Sequence, residues 1–141
     1  MADMMQFDLV SPERLLVSRQ VSEVLIPGAE GDMTAMPSHA PVITTLRPGV
    51  LHVVSAEGGE DYAVTGGFAQ ITAEGVSVLA EQSAPLSALS QDMFDTMLST
   101  AREALERARN GGDGGAIDDA SKGVADMVAL AGAAGLEASA A

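Results

Sequence analysis

The chain of 141 residues is long enough for one domain, or for one domain with an appendage, and carries 20 acidic against 7 basic residues. The resulting net charge of −13 argues against binding to nucleic acid or to anionic lipid, because both require clustered Lys and Arg. The lack of cysteine excludes disulfide scaffolds, thiol catalysis and thiolate zinc sites. With only 3% aromatic residues, the core must be built from Val, Ile, Leu, Met and Ala.

The N-terminal residues predict a chain without a targeting signal. Residues 1–8 are acidic and lack both the basic and apolar parts of a signal peptide and the Arg and Ser of a mitochondrial transit peptide. The longest uncharged stretch, residues 33–46, is too short to span a bilayer and contains Pro37 and Pro41. We therefore expect a soluble, cytosolic protein.

Residues 4–80 consist of short apolar segments separated by turn residues, a pattern typical of a β-sandwich or barrel. Met5, Phe7 and Leu9 alternate with polar residues, as in a strand that is buried on one face. No segment of helical length follows before residue 80, so the sequence predicts an antiparallel β-sandwich over residues 1–86. The further apolar segments are residues 15–21, 24–26, 42–46, 50–54, 62–65, 68–72 and 76–80.

Beyond Pro85 the spacing of apolar residues changes to that of an α-helix. Ser90 is a candidate N-cap, and Asp92 in the first turn favours the helix dipole. An apolar stripe continues to Ala108, and the glycine-rich residues 110–115 are expected to end this helix as a turn.

Residues 117–136 carry apolar side chains at helical spacing and predict a second helix. Gly123, Gly132 and Gly135 each cost about 1 kcal/mol relative to alanine in a helix interior, so this helix is expected to form only through packing. The predicted fold class is α+β with segregated halves, an N-terminal β-sandwich followed by a C-terminal α-helical hairpin over residues 87–141.

Residues that could carry catalysis or bind a metal are few. His39 and His52 are the only histidines, and neither has a metal-ligating residue four positions away. Lys122, the only lysine, is not preceded by glycine, so there is no Walker motif. The acidic residues within 113–119 lack the spacing of a calcium loop, and those within 57–61 are interpreted as a solvated hairpin tip. We expect no catalytic residue, no nucleotide or metal site, and no cofactor.

Two segments are unusual for a β-sandwich. Gly66 and Gly67 interrupt a β segment, which favours a structural bulge or tight bend at a sandwich corner over close approach by a partner's backbone. Residues 28–41 hold methionines, a histidine and two prolines without a clear period. They are either a structured loop or an exposed, adaptable interface, for which methionine is well suited.

Five short motifs carry a resemblance to a known family, and their order and spacing match over residues 4–85. The chain resembles the ε subunit of bacterial F-type ATP synthase, whose mitochondrial counterpart is called δ. The helical half agrees with this family in architecture and not in motif. The motifs are FDLVSPER at residues 7–14, PGAEGD at 27–32, HAPVITTL at 39–46, RPG at 47–49 and GGF at 66–68.

The resemblance implies a non-catalytic subunit of the central stalk, or rotor, of the ATP synthase. Such a subunit binds the γ subunit on one side and the polar loops of the membrane c-ring on the other, beneath the α/β head. It couples proton-driven rotation to ATP synthesis. The implied location is the cytoplasmic face of the bacterial inner membrane, as a peripheral protein held by protein partners without lipid insertion.

The resemblance also assigns surfaces to two groups of residues. Glu30, Gly31 and Asp32 are implied to face the c-ring. The γ-facing surface is implied to include Met36, His39, Ala40 and Pro41.

Two departures from the family concern the hairpin. Relatives that bind ATP open it with a motif of the form Ile/Leu-Asp-x-x-Arg-Ala, whereas residues 90–99 contain no arginine. Relatives that inhibit ATP hydrolysis use basic residues of the second helix against an acidic segment of the β subunit, whereas residues 111–141 have a net charge of −4. We therefore expect the ATP-sensing and inhibitory roles of the hairpin to be weak or absent.

Two other functions are alternatives to the stalk subunit. A free-standing ligand- or carbohydrate-binding sandwich would normally present aromatic platforms, but this chain has no tryptophan and one tyrosine. A dedicated hydrolysis inhibitor is disfavoured by the acidic C-terminal segment. The stalk subunit is the predicted function, with the ligand-binding module as the alternative.

Overall fold

A computed structural model describes residues 4–12 and 14–138 of the chain, and all structural statements below concern those residues. They form β-strands up to Pro85 and two α-helices after it, which confirms a sandwich followed by a helical hairpin. The strands are β1 (Met5–Ser11), β2 (Arg14–Val21), β3 (Glu23–Gly28), β4 (Gly31–Ala35), β5 (Val42–Thr45), β6 (Gly49–Ser55), β7 (Gly58–Val64), β8 (Gly67–Ile71), β9 (Gly75–Ala80) and β10 (Ser83–Pro85). The helices are α1 (Gln91–Gly111) and α2 (Gly114–Ala134).

The strands form two sheets of five. Sheet I has the order β2-β1-β9-β8-β5, and sheet II has the order β10-β7-β6-β3-β4. The prediction of purely antiparallel pairing is wrong for one pair, because β1 and β9 run parallel, with Phe7 opposite Val76. These two strands are far apart in the sequence, so local hairpin signals carry no information about their pairing.

The core lies between the two sheets and is almost entirely aliphatic. In β1 the predicted alternation is present, since Met5, Phe7 and Leu9 are at most 2% exposed and their neighbours are half-buried. Burying each such side chain stabilises the fold by about 1.5–3 kcal/mol. The remaining core residues are Val21, Val24, Ile26, Ala35, Leu46, Leu51, Val53, Tyr62, Val64, Ala69, Ile71, Val76, Val78 and Ala80.

The helical hairpin packs on the outer face of sheet II. Alternation along β7 turns Ala63 away from the main core, and this small side chain lets the helices approach the sheet closely. Ala84 on β10 is a second small side chain of sheet II that packs against the helices. The second apolar cluster is completed by Leu89, Phe94, Met97, Leu98, Met127, Leu130 and Ala131.

The helix ends are fixed by caps. The Ser90 side chain accepts a hydrogen bond from the Met93 amide, as predicted for an N-cap. Gly112 ends α1 in the left-handed conformation, and the Asp113 side chain caps α2 by accepting from the Gly115 amide. The interhelical turn is therefore only Gly112 and Asp113, shorter than the predicted 110–115, because Asp113 supplies an acceptor that starts α2 early.

Gly135 was expected in the interior of the second helix, but it lies outside α2. It lies just after α2 with φ of 71°, a left-handed conformation that glycine adopts without the penalty of a Cβ. Gly123 and Gly132 do lie within α2, so the predicted cost applies to two glycines.

An arginine joins the two sheets at the end of the sandwich where β6 turns into β7. Arg19 on β2 donates to the Glu60 carboxylate at 2.8 Å and to Ser55 Oγ at 2.9 Å, while Glu57 lies 3.4 Å away. The Tyr62 hydroxyl donates to the second oxygen of Glu60. The acidic residues of this hairpin tip are exposed, as expected, and also have partners: Glu57 and Glu60 pair with Arg19, and the Asp61 carboxylate lies 2.5 Å from His52 Nδ1.

The hydrogen bond between Tyr62 and the Glu60 carboxylate shifts the pKa of both groups. Hydrogen bonds from Tyr62 and Arg19 lower the pKa of Glu60, so its contribution to stability is present above its unfolded pKa and is lost at lower pH. Burial and the bond to Glu60 raise the pKa of Tyr62 to about 12. Because the folded pKa exceeds the unfolded one of about 10, the Tyr62 contribution is present below pH 10 and is lost as pH rises through 12.

Alkaline titration of the single tyrosine tests this network. With one tyrosine and no tryptophan, near-ultraviolet absorbance reports Tyr62 alone. We expect its pKa at about 12 in the folded chain, read while far-ultraviolet circular dichroism stays native, and about 10 in urea. Glu60→Gln should lower the folded pKa, and Glu74→Gln, a change of an exposed carboxylate elsewhere, should not. A folded pKa near 10 in the wild-type chain would show that the hydroxyl does not donate to Glu60.

Candidate functional site

The predicted acidic loop is the tight turn between β3 and β4. Gly28 pairs with Gly31 across this turn, and a Cβ at Gly28 would lie 2.6 Å from the Gly31 carbonyl oxygen, so the close approach requires glycine. Glu30 lies in the turn, and Gly31 and Asp32 open β4. All three predicted residues are exposed.

Arg47, which the sequence did not single out as a functional residue, holds this turn. Its guanidinium pairs with Asp32 at 2.5 Å and donates to the Gly28 carbonyl at 2.6 Å. The Ala29 amide donates to the carbonyl of Thr45, the last residue of β5, at 2.9 Å. The turn is thus fixed to the body of the sandwich, and both of its carboxylates, Glu30 and the Arg47-bound Asp32, remain exposed.

Residues 36–41 connect β4 to β5 and cross from sheet II to sheet I. Met36 is 51% exposed, and Ala40 and Pro41 are exposed. His39 is half-buried, with Nδ1 lying 2.6 Å from the Ala40 carbonyl oxygen. Ser38, in the left-handed conformation at φ of 67°, donates its amide to the Ala73 carbonyl between β8 and β9. The segment is a structured loop with exposed apolar side chains.

The two predicted surfaces lie at opposite ends of β5. The acidic turn contacts Thr45, the last residue of β5, whereas residues 36–41 precede Val42, its first residue. At about 3.3 Å per residue, this strand separates them by roughly 10 Å. The structure therefore keeps the two groups apart.

A row of apolar side chains crosses the outer face of sheet I and was missed by the sequence reasoning. Phe68 on β8 lies opposite Leu79 on β9, Leu79 opposite Val10 on β1, and Val10 opposite Leu15 on β2. Phe68, Leu79 and Leu15 are 41%, 40% and 59% exposed, and Val10 is half-buried. We call Leu15, Val10, Leu79 and Phe68 the apolar row. The sequence did contain one signal for this row. Leu79 is an apolar residue at an outward-facing position, between the inward-facing Val78 and Ala80.

Ile43 extends the apolar row toward the loop of residues 36–41. It is 66% exposed and shares one face of β5 with Thr45, which lies opposite Phe68. Pro41 precedes Ile43 by two residues and is also exposed. The predicted loop and the apolar row are therefore linked along one strand.

The Gly66-Gly67 pair forms a corner at which the chain passes from sheet II to sheet I. Gly67 has φ of 115°, and a Cβ there would lie 1.9 Å from the Leu79 carbonyl oxygen. Pairing of β8 with β9 is regular from Gly67 onward, and the observed register shift lies instead between Leu9 and Val10 in β1. The pair is thus a tight bend rather than a bulge, and it places Phe68 next to Leu79.

Neither a metal cluster nor a membrane-spanning helix was found in residues 4–12 and 14–138. No three His, Asp or Glu side chains come together there as metal ligands would. Over the same residues, no helix combines the length and the apolar character needed to cross a bilayer.

The sandwich matches a known family over nearly all of its length. Residues 4–85 match the family model described as ATP synthase, Delta/Epsilon chain, beta-sandwich domain. The chain belongs to this ATP synthase delta/epsilon family. Its similarity extends through the hairpin, since the ATP synthase epsilon chain of Ruegeria sp. (strain TM1040) is 56% identical over 92% of this chain and 96% of its own length. The epsilon chain of Paracoccus denitrificans is 51% identical over 97% of this chain and 95% of its own.

Solved structures share the fold of this delta/epsilon family member. A chain of the Euglena gracilis mitochondrial ATP synthase, in an OSCP/F1/c-ring structure, superposes with a TM-score of 0.66 at 21% identity, over 92% of this chain and 81% of that one. A chain of the Tetrahymena thermophila mitochondrial ATP synthase, in a central stalk/c-ring structure, gives 0.54 at 13% identity, over 85% and 96%.

Replacing Gly67 with alanine tests the corner that builds the apolar row. A Cβ would meet the Leu79 carbonyl and force an unfavourable φ, so Gly67→Ala should lower the free energy of unfolding by at least about 2–3 kcal/mol. Gly123→Ala in α2 is the matched control, because its Cβ meets no atom within 4 Å and should raise stability by up to about 1 kcal/mol. Urea unfolding measures both, and equal effects of the two changes would rule out a special role for the corner.

Proposed function

We propose that this chain is a non-catalytic rotor subunit of the central stalk of F-type ATP synthase. It binds the γ subunit and the c-ring and couples proton-driven rotation to ATP synthesis in the α/β head. Membership of the delta/epsilon family supports this, as do relatives named ATP synthase epsilon chain and structural neighbours from central-stalk and c-ring assemblies. The observation that supports it most directly is that one sandwich exposes two different surfaces, an acidic turn and an apolar row.

The apolar row and the adjoining loop form the proposed γ-binding surface. The helical hairpin packs on the outer face of sheet II, whereas sheet I leaves Phe68, Leu79 and Ile43 at least 40% exposed. Large aromatic and aliphatic side chains at the centre of an interface contribute most of its binding energy. Met36 and residues 39–41 then extend this surface along β5, consistent with the predicted γ-facing residues.

The β3–β4 turn is the proposed contact to the c-ring. Glu30, Gly31 and Asp32 project from the end of the sandwich, and Arg47 ties Asp32 and the turn backbone to the strands. A turn held in this way transmits force to the sheets without first deforming. The subunit then lies at the cytoplasmic face of the bacterial inner membrane, held there by protein partners.

The hairpin is proposed to have little inhibitory or ATP-sensing role. Its C-terminal half, residues 111–141, has five acids and one base, Lys122, and that base is engaged by the sandwich. Against an acidic partner surface, each like-charge contact near 4 Å would cost about 1 kcal/mol in water. The alternative of a ligand-binding module gains no support from Tyr62, which is 6% exposed and bonded to Glu60.

Substitutions in the apolar row test the γ surface. Phe68→Ser with Leu79→Ser should weaken binding of the chain to purified γ subunit by about ten-fold or more, because two interface anchors are lost. Leu25→Ser and Val128→Ser are the controls, since these side chains are similarly exposed at 37% and 44% on sheet II and α2. Isothermal titration calorimetry gives the affinities, and an unchanged affinity for the double variant would remove the apolar row from the interface.

Cross-linking in assembled complexes tests the assignment of both ends. Because the chain has no cysteine, Asp32→Cys and His39→Cys each introduce a single thiol for a short photoactivatable cross-linker. We expect the first to link to the c-ring and the second to the γ subunit, with Glu106→Cys on the exposed side of α1 as the control for random capture. If neither of the first two links to its partner, the site assignment is wrong.

A further inference from the structure

The only lysine of the chain reaches from the helical hairpin to the acidic turn of the sandwich. Lys122 lies on α2, and its Nζ donates a 2.9 Å hydrogen bond to the carbonyl of Ala29, which is 93 positions away in the sequence. Ala29 and Glu30 are the two residues between β3 and β4. The docked hairpin thus contacts the turn that carries Glu30 and Asp32.

Two cations from different parts of the molecule hold neighbouring carbonyls of this turn. Arg47, within the sandwich, binds the Gly28 carbonyl at 2.6 Å, and Lys122, on the hairpin, binds the Ala29 carbonyl at 2.9 Å. The Ala29 amide also donates to Thr45. The Arg47 contact persists wherever the hairpin is, whereas the Lys122 contact exists only while the hairpin is docked.

The apolar contacts between α2 and sheet II belong to the second apolar cluster. In it Met127, Leu130 and Ala131 of α2 are buried together with Ala63 and the partly buried Val50 of sheet II. The exposed Lys122 hydrogen bond adds to this packing at the acidic turn, where the cluster itself does not reach.

The hairpin is closed by contacts of its own. The Gln91 side chain donates to the Glu137 carbonyl at 2.6 Å and accepts from the Glu137 amide at 3.0 Å, joining the start of α1 to the segment after α2. These bonds do not involve the sandwich. Separation of the hairpin from sheet II would not require these bonds to break.

We propose that Lys122 couples docking of the hairpin to the conformation of the β3–β4 turn. While α2 is docked, the Lys122 ammonium group adds a restraint on Ala29 to those from Arg47 and Thr45, and loss of that bond loosens the turn and weakens the docking of α2. The coupling is reciprocal, so a change at the turn that withdraws the Ala29 carbonyl weakens docking by the same factor. This role belongs to the isolated chain and does not depend on binding to the c-ring.

Hydrogen exchange of the full-length chain tests the coupling residue by residue. Lys122→Gln removes the charge with little change in helix propensity, and we expect exchange to rise about five-fold at the Ala29 amide and at residues 127–131 of α2. Lys122→Arg keeps a cationic donor and should restore protection at both places. Arg107→Gln removes the same charge from the exposed side of α1 and should change neither.

The proposal is overturned if Lys122→Gln alters α2 without altering Ala29, if it alters neither, or if Arg107→Gln has the same effect. A second measurement follows docking directly. With spin labels at Thr34→Cys and Ala125→Cys, both exposed positions in a cysteine-free chain, the population at long distances should rise about five-fold in Lys122→Gln. Circular dichroism confirms that each variant is folded. A negative result here leaves the cross-linking test of the two stalk surfaces unaffected.

Discussion

The packing of two aliphatic sheet faces against each other is the interaction on which the rest of this molecule depends. Cysteine and tryptophan are absent from the sequence, and Phe7 and Tyr62 are the aromatic residues in the inter-sheet core. The outer face of each sheet is then free for another use. Small residues on sheet II receive the hairpin, and larger apolar residues on sheet I remain exposed.

Arginines reinforce this core at opposite ends of the sandwich. Arg19 joins the sheets beside the β6–β7 turn, and Arg47 holds the β3–β4 turn at the other end. Both guanidiniums are partly exposed, so screening by water keeps each ion pair modest in energy. Their effect is geometric, because each fixes a turn that apolar packing between the sheets does not reach.

Local patterns predicted most of the fold, and long-range geometry accounts for what they missed. Alternation located the strands, and the Ser90 cap with a change of period located the hairpin. The parallel pairing of β1 with β9 depends on residues far apart in the chain. The early start of α2 depends on the extended backbone of Asp113, which lets its side chain accept from the Gly115 amide. For the candidate site, the resemblance indicated the turn and the loop. The apolar row escaped notice because its members come from four strands, which only the sheet brings together.

The pairing of β1 with β9 also affects how the chain is made. Phe7 finds its partner only when Val76 has left the ribosome, roughly 70 residues later, which at about 5–20 residues per second takes roughly 4–14 s. During that time β1 is supported by β2 alone, and its other edge is open to unwanted pairing with other nascent chains. The many acidic residues of the chain oppose this unwanted pairing, because chains of like charge repel each other.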